Sequence, residues 1–302
     1  MIRIINVKKF LFAGYLVCLF YIVISYANIT PTFSAKIEET NSLHIATSRK
    51  LTFSGYNWTV RTSNQQQQGP GPNYFSDSYD TVWVDNNGFL HLKLKFENNK
   101  WYCAEIYSDD SFGYGSYTFR LSPGFEDLDI NVVVGLFTYL DDENEIDIEF
   151  ARWGQKDALN GQYVVQPYSN EGNLHLFDMP ATGEKSVHSF TWCPNYIRYW
   201  STYGSSMSYS SDRLISEWYY TGTDNPSPST ERVHINLWLM SGLAPTDGLE
   251  AEIIIEEFIF TANECNDPIP LPPWIIIIII STAVACISIV FLIKRMKTSS
   301  RH

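Results

Sequence analysis

The chain has 302 residues, 45% of them hydrophobic and 15% aromatic, and a formal net charge of -12. All 33 acidic residues lie between residues 28 and 273, with only 14 of the 21 basic ones, so that stretch has a net charge near -19. A surface so acidic repels nucleic acid and anionic lipid headgroups, and is compatible with a neutral ligand such as a sugar polymer.

Arg3, Lys8 and Lys9 precede an apolar run from Phe10 to Ile24, and Ser25-Tyr26-Ala27 supplies small residues at the two positions a signal peptidase reads. Residues 1–27 are therefore expected to be a secretory signal. Residues 28–47 are polar, show no period, and read as a tether leading into a domain over 48–262.

Within that domain Leu90, Leu92, Leu94 and Phe96 alternate with His91, Lys93 and Lys95, a period of two that predicts a strand with the leucines on one face. Similar short runs follow at Ser116 to Leu121, Asn131 to Leu140, Glu145 to Phe150, Gln162 to Gln166, Val187 to Trp192, Arg232 to Met240 and Glu252 to Phe260. Turn-rich stretches such as Gly69-Pro70-Gly71-Pro72-Asn73 and Asp85-Asn86-Asn87-Gly88 separate strands. No dozen residues here carry helical spacing, so the expected fold is all-β, an antiparallel sandwich, rather than a parallel sheet with crossover helices.

After a stalk over 263–273, Trp274 to Ile293 runs 20 residues without a charge and is expected to cross a membrane as a helix. Lys294, Arg295, Lys297 and Arg301 follow, which places the tail, 294–302, in the cytoplasm and the domain outside it. Cys103, Cys193 and Cys265 then lie in an oxidising compartment, where at most one intramolecular disulfide can form among them. Asn57-Trp58-Thr59 is a glycan acceptor sequence.

The segment with the clearest chemistry is Asn144-Glu145-Ile146-Asp147-Ile148-Glu149-Phe150. On a strand Glu145, Asp147 and Glu149 share one face and Ile146, Ile148 and Phe150 the other. Crowded like charges raise the pKa of at least one carboxyl, so an ionised and a protonated carboxyl can coexist near neutral pH. Retaining glycoside hydrolysis needs such a pair about 5 to 5.5 Å apart, whereas the outer two Cα atoms of a flat strand are ~13 Å apart. A concave, twisted sheet is therefore required.

Glu145-Ile146-Asp147-Ile148-Glu149 resembles the signature of glycoside hydrolase family 16, in the compact form seen in its lichenase branch. Cys103-Ala104-Glu105, Gly113-Tyr114-Gly115, Phe137-Thr138-Tyr139, Phe190-Thr191-Trp192 and Asn236-Leu237-Trp238 resemble lichenase segments in the same order. The resemblance implies a jelly-roll sandwich, with Glu145 as nucleophile, Asp147 as its electrostatic helper and Glu149 as general acid and base. It further implies that Glu105, Phe137, Tyr139, Gln166, Tyr168, Asn236 and Trp238 bind sugar. Aromatic faces suit pyranose rings, and amides and carboxylates suit hydroxyls.

Several substrate-contacting positions depart from the lichenase pattern. Tyr107 stands where lichenases have an arginine, Gln166-Pro167-Tyr168 where they have Gln-x-Asn, and Glu143 where a tryptophan precedes the signature. The cysteine that pairs early in the lichenase chain is missing, and Phe150-Ala151-Arg152-Trp153-Gly154 also differs. His188 is expected to be structural, and His91 and His234 lack partners at metal-ligand spacing, so no catalytic metal is expected. Some family members hold a structural calcium, whose ligands this sequence does not identify. The expected activity is a retaining endo-β-glycosidase acting on β-glucan-like polysaccharide at a cell membrane. The alternatives are a transglycosylase of envelope glycan and a lectin-like module without turnover. The sequence leaves the oligomeric state open.

Overall fold

A computed structural model describes residues 48–262 and 264–265. The expected signal, tether, membrane helix and tail lie outside them. Among the described residues no helix is long and apolar enough to cross a membrane. In chain order the strands are β1 (Lys50–Phe53), β2 (Tyr56–Val60), β3 (Tyr74–Phe75), β4 (Val82–Val84), β5 (Leu90–Glu97), β6 (Lys100–Ser108), β7 (Gly115–Leu121) and β8 (Val132–Asp141). They continue with β9 (Asn144–Phe150), β10 (Gly161–Val165), β11 (Leu174–Phe177), β12 (Ser186–Cys193), β13 (Tyr196–Tyr203), β14 (Leu214–Tyr220), β15 (Arg232–Leu239) and β16 (Ala251–Ala262).

Two antiparallel layers form the sandwich. One runs β11-β10-β9-β8-β15-β6, with β2 and β1 beyond β6; the other runs β5-β16-β7-β12-β13-β14, with β4 on β5. Strand β5 belongs to both layers, because Leu90 to Leu94 pair with β16 while Lys95 to Glu97 turn back onto β6. Among the described residues the one parallel pairing is short, Tyr74–Phe75 against Tyr102–Cys103.

The alternation read from the sequence explains which faces meet. Leu90, Leu92 and Leu94 are fully buried, as are Ile146 and Ile148, with Phe150 nearly so. At ~1.5 to 3 kcal/mol for each such side chain, the inner face of β9 contributes several kcal/mol of burial. Phe96, at the end of the same alternation, lies past the core, 48% exposed, with its ring against Trp101. Strands β6, β12 and β13 have buried residues on both faces, and therefore lack the clean period that marks β5.

Polar groups also join the layers. Tyr163 Oη donates to Ser201 Oγ at 2.7 Å, and Tyr199 Oη donates to the carbonyl of Val164 at 2.7 Å. His188 is fully buried between Ser186 Oγ and Ser201 Oγ, each at 2.8 Å, and packs edge-on to Phe150. Burial lowers its pKa to about 3, so it stays neutral and structural.

Of the three cysteines left open by the sequence, Cys193 pairs with Cys265 and Cys103 is buried as a free thiol. The bridge ties residue 265, just past β16, to the end of β12 across 72 residues of sequence. Cys193→Ser is expected to destabilise the domain by about 2 to 4 kcal/mol, read as a lower midpoint of urea unfolding, by restoring freedom to the unfolded chain.

Candidate active site

The outer face of the first layer carries a cleft of about 1530 Å³. Strand register sets residues across its floor in rows. The first row runs Leu176, Gln162, Glu149, Gly135, Asn236 and Glu105. The second runs Leu174, Val164, Asp147, Phe137, His234 and Tyr107. In the third, Glu145 lies beside Tyr139, with Arg232 on the far side of Tyr139, and the Glu145 carbonyl accepts the Gln166 backbone N–H at 3.1 Å. Register is unbroken from Ile146 to Phe150 against β10, so β9 contains no bulge there and its three carboxyls stay on one face.

All ten residues expected to act on or bind sugar line this cleft. Glu145 and Glu149 are half-buried and open to it, and Asp147 is buried between them. Phe137, Asn236, Trp238 and Glu105 form a buried floor, while Tyr168 stands 65% exposed at the rim. Phe137 is covered by the ring of His234 at 5.0 Å, so its face is already stacked. Gln166 reaches Asp147 Oδ2 at 3.4 Å, a long contact, and its Oε1 accepts the backbone N–H of Tyr168 at 2.9 Å. The glutamine facing Glu149 is instead Gln162, whose Nε2 donates to Glu149 Oε2 at 2.6 Å. Gln162-Tyr163-Val164, not Gln166-Pro167-Tyr168, is thus the stretch directly opposite Glu149 and Asp147.

Burial dominates the electrostatics of the three carboxyls. It raises Glu149 to about 7, against the hydrogen bond from Gln162. It raises Glu145 to about 8, with repulsion from Glu149 and Asp142 adding to it and the hydrogen bond from Asp147 opposing it. Asp147 is raised well above the usual range by burial and then by the charges of Glu145 and Glu149. Asp147 accordingly keeps its proton and donates it to Glu145, and the other two share fewer than two charges near neutral pH.

Glu105 behaves in the opposite way. Burial would raise its pKa, but the hydrogen bond from His234 and the charges of His234 and Arg61 outweigh it and hold it below the usual value. Arg61 Nη1 lies 2.7 Å from Glu105 Oε2, and His234 Nδ1 lies 2.9 Å from Oε1. Arg61 also donates to the carbonyl of Gly69 at 2.6 Å, which ties the loop before β3 to the cleft wall. Gly135 leaves room in the first row: a Cβ there would come within 2.6 Å of Asn236 Oδ1, a buried acceptor with no protein partner.

Arg61, Gln162, Trp153, Arg232, His234 and Gly135 were not expected in the site. Period two does reach several of them, since Arg232 and His234 alternate with Asn236 and Trp238, Gly135 with Phe137 and Tyr139, and Gln162 shares parity with Gln166. Arg61, 44 residues before Glu105, is brought in by tertiary structure alone. Among the described residues no group of three or more His, Cys, Asp or Glu side chains could hold a metal ion.

No family model matches the chain. In sequence it is similar to the β-glucanase of Paenibacillus polymyxa, 27% identical over 172 residues, or 54% of this chain and 64% of that protein. It is also similar to the β-glucanase of Bacillus subtilis, 26% identical over 207 residues, or 63% of this chain and 74% of that protein. The chain thus spans just under two thirds of the length of the Paenibacillus relatives. In structure it superposes on a Bacillus licheniformis β-glucanase with a TM-score of 0.51 at 21% identity, over 72% of this chain and 98% of that one. It likewise superposes on a glycosyl hydrolase family 16 protein of Mycobacterium smegmatis, with a TM-score of 0.51 at 16% identity, over 67% and 90% of the two chains. The fold is the antiparallel sandwich of these glucanases.

A carboxyl whose folded pKa lies above its unfolded value of ~4.3 weakens the fold progressively as pH rises toward the folded pKa. Glu145 is such a group. Glu145→Gln is therefore expected to raise the thermal midpoint at pH 8, by about 1 kcal/mol of stability after allowance for its opening to solvent, and to have no such effect at pH 4. Calorimetry at the two pH values checks both signs.

Proposed function

We propose that the domain is a retaining endo-β-glycosidase that cleaves β-glucan-like polysaccharide. The single observation that carries this reading is one strand presenting Glu145, Asp147 and Glu149 into an open cleft, with the pKa values of Glu145 and Glu149 raised into the neutral range. Six strands at ~4.8 Å spacing give a groove on the order of 24 Å across the sheet, long enough to hold several sugar residues rather than a chain end. The sequence similarity to β-glucanases supports the substrate class.

In this reading Glu149 protonates the glycosidic oxygen as the bond to the anomeric carbon breaks, and Glu145 attacks that carbon to form a covalent glycosyl intermediate. Glu149, now a carboxylate, takes a proton from water, which displaces Glu145 and regenerates both groups. Asp147 donates to Glu145 throughout, and so limits the charge that the two glutamates must place side by side. Tyr139, Trp238 and Tyr168 offer ring surface to the sugar, and Asn236 and Glu105 offer acceptors to its hydroxyls. The apolar run Trp274 to Ile293 and the signal-like residues 1–27 support a membrane-tethered location with the cleft outside the cytoplasm.

Purified protein tested on β-1,3, mixed-linkage β-1,3-1,4, xyloglucan and galactan polymers is expected to release reducing ends from at least one glucan, with mixed-linkage glucan the first choice. Glu145→Gln should lose about 10³-fold or more of that rate. Binding of polymer with no release by the wild type would favour the lectin reading, and release balanced by longer products would favour transglycosylation. On the preferred polymer kcat/KM should be bell-shaped in pH. Taken singly, Glu149 near 7 and Glu145 near 8 would ionise in the reverse order of their roles, so the active form is the pair holding one proton: below about 7 both are protonated and no nucleophile exists, and above about 8 both are ionised and no acid remains. A rate still rising at pH 9.5 would contradict this assignment.

A further inference from the structure

Glu149 is joined to two side chains that its expected role does not require. Gln162 Nε2 donates to Glu149 Oε2 at 2.6 Å, and Gln162 Oε1 accepts the indole N–H of Trp153 at 3.1 Å. An indole N–H can only donate, so the bond to Trp153 fixes which end of the Gln162 amide faces the glutamate. Trp153 is itself held in place. Its φ is 50° and that of Gly154 is 74°, and the Gly154 N–H donates to the carbonyl of Ile130 at 2.8 Å. Gly154 takes its positive φ without a Cβ penalty, which lets the turn close there. The Trp153 ring lies edge-on to Trp238 at 6.0 Å, and Arg152 donates to the carbonyls of Leu128 and Glu126 at 3.0 and 3.2 Å.

We propose that Trp153 and Gln162 are positioning residues that decide which oxygen of Glu149 carries the catalytic proton. With Oε2 occupied by an N–H donor, the proton resides on Oε1, the oxygen left for the glycosidic bond. Without the indole, the Gln162 amide is free to turn over and offer its own oxygen to Oε2, which stabilises the proton on the wrong side. The same N–H stabilises the carboxylate after proton transfer, when Glu149 serves as the base. The relay rests on Glu149 being the acid, as proposed above.

The titratable and charged groups that line the cleft with Glu149 are Glu145 and Asp147 on its own strand, Tyr139 on β8 with Asp142 just past it, Tyr168 at the rim, His234 and Arg232 on β15, and Tyr107 and Glu105 on β6 with Arg61. None of these changes in Trp153→Phe, which keeps the ring and removes the N–H.

The experiment compares pH profiles of kcat/KM for the wild type, Trp153→Phe, Gln162→Met and the double variant, on glucan and on an aryl β-glycoside whose dinitrophenolate leaves without protonation. Loss of one donor hydrogen bond should raise the titration of Glu149, and with it the limb of the profile that Glu149 sets, by about 0.5 to 1 pH unit in Trp153→Phe, and at least as far in Gln162→Met. The double variant should match Gln162→Met alone, because the two residues act in series. Glucan turnover should fall about 5- to 10-fold while the aryl substrate is spared. Superimposable profiles, or shifts that add in the double variant, would overturn the relay. Should the wild type cleave no glycan at all, the enzyme reading fails separately. Titration of ¹³C-labelled glutamate carboxyls then still tests the relay, since the Glu149 resonance must titrate higher in Trp153→Phe than in the wild type.

Discussion

Burying three carboxyls side by side on β9 is the constraint around which the rest of the domain is arranged. Isolated, such a strand would be unstable as anions and inert as acids, because desolvation and like charge both oppose ionisation. Its other face offsets the cost: Ile146, Ile148 and Phe150 are locked into the sandwich core, where β12 and β13 close over them. The carboxyls are not relieved by cations, since no arginine or lysine pairs with Glu145, Asp147 or Glu149 among the ion pairs of the described residues. They are relieved by sharing protons and by neutral amides, which leaves the pKa values of Glu145 and Glu149 near neutrality. A salt bridge in the same place would have made a stable, permanently ionised strand unable to donate a proton.

The cationic charge of the cleft is spent instead on Glu105, two strands away from the triad's neighbour β8. Arg61 and His234 hold that carboxylate ionised, and Arg61 simultaneously clamps the Gly69 carbonyl. One surface therefore presents a fixed anion at one side and proton-exchanging carboxyls at the other. The first can bind hydroxyls without entering the chemistry, and the second can change charge during it. The sandwich alone would not say this, because the same fold serves binders and hydrolases. The reading rests on how these particular side chains are surrounded.

Much of this was legible in the sequence, and what was legible follows one physical rule. Period two assigned the leucines of β5 and the faces of β9 correctly, since each strand there has one face in the core and one outside. It gave no warning of Tyr196–Tyr203, buried along almost its whole length, or of Leu214–Tyr220 at the sheet edge, since the aromatic residues of neither alternate with polar ones. Within the site, residues on the signature strand and its neighbours could be placed from parity, whereas the Arg61–Glu105 pair and the Trp153 turn depend on contacts between distant segments. That Gln162 is the glutamine opposite Glu149 was not legible, because register between β9 and β10 is set by pairing, and no residue pattern on either strand alone reports it.

The central claim is an unequal division of labour between two glutamates facing one bond. It is tested most directly by trapping the covalent intermediate with a 2-fluoro-β-glucosyl oligosaccharide bearing a dinitrophenolate leaving group, followed by mass spectrometry of the intact protein and its peptides. The account predicts a single glycosyl adduct on Glu145, formed as dinitrophenolate departs. An adduct on Glu149, or oligosaccharide that binds and is hydrolysed with inversion and no adduct, would contradict it.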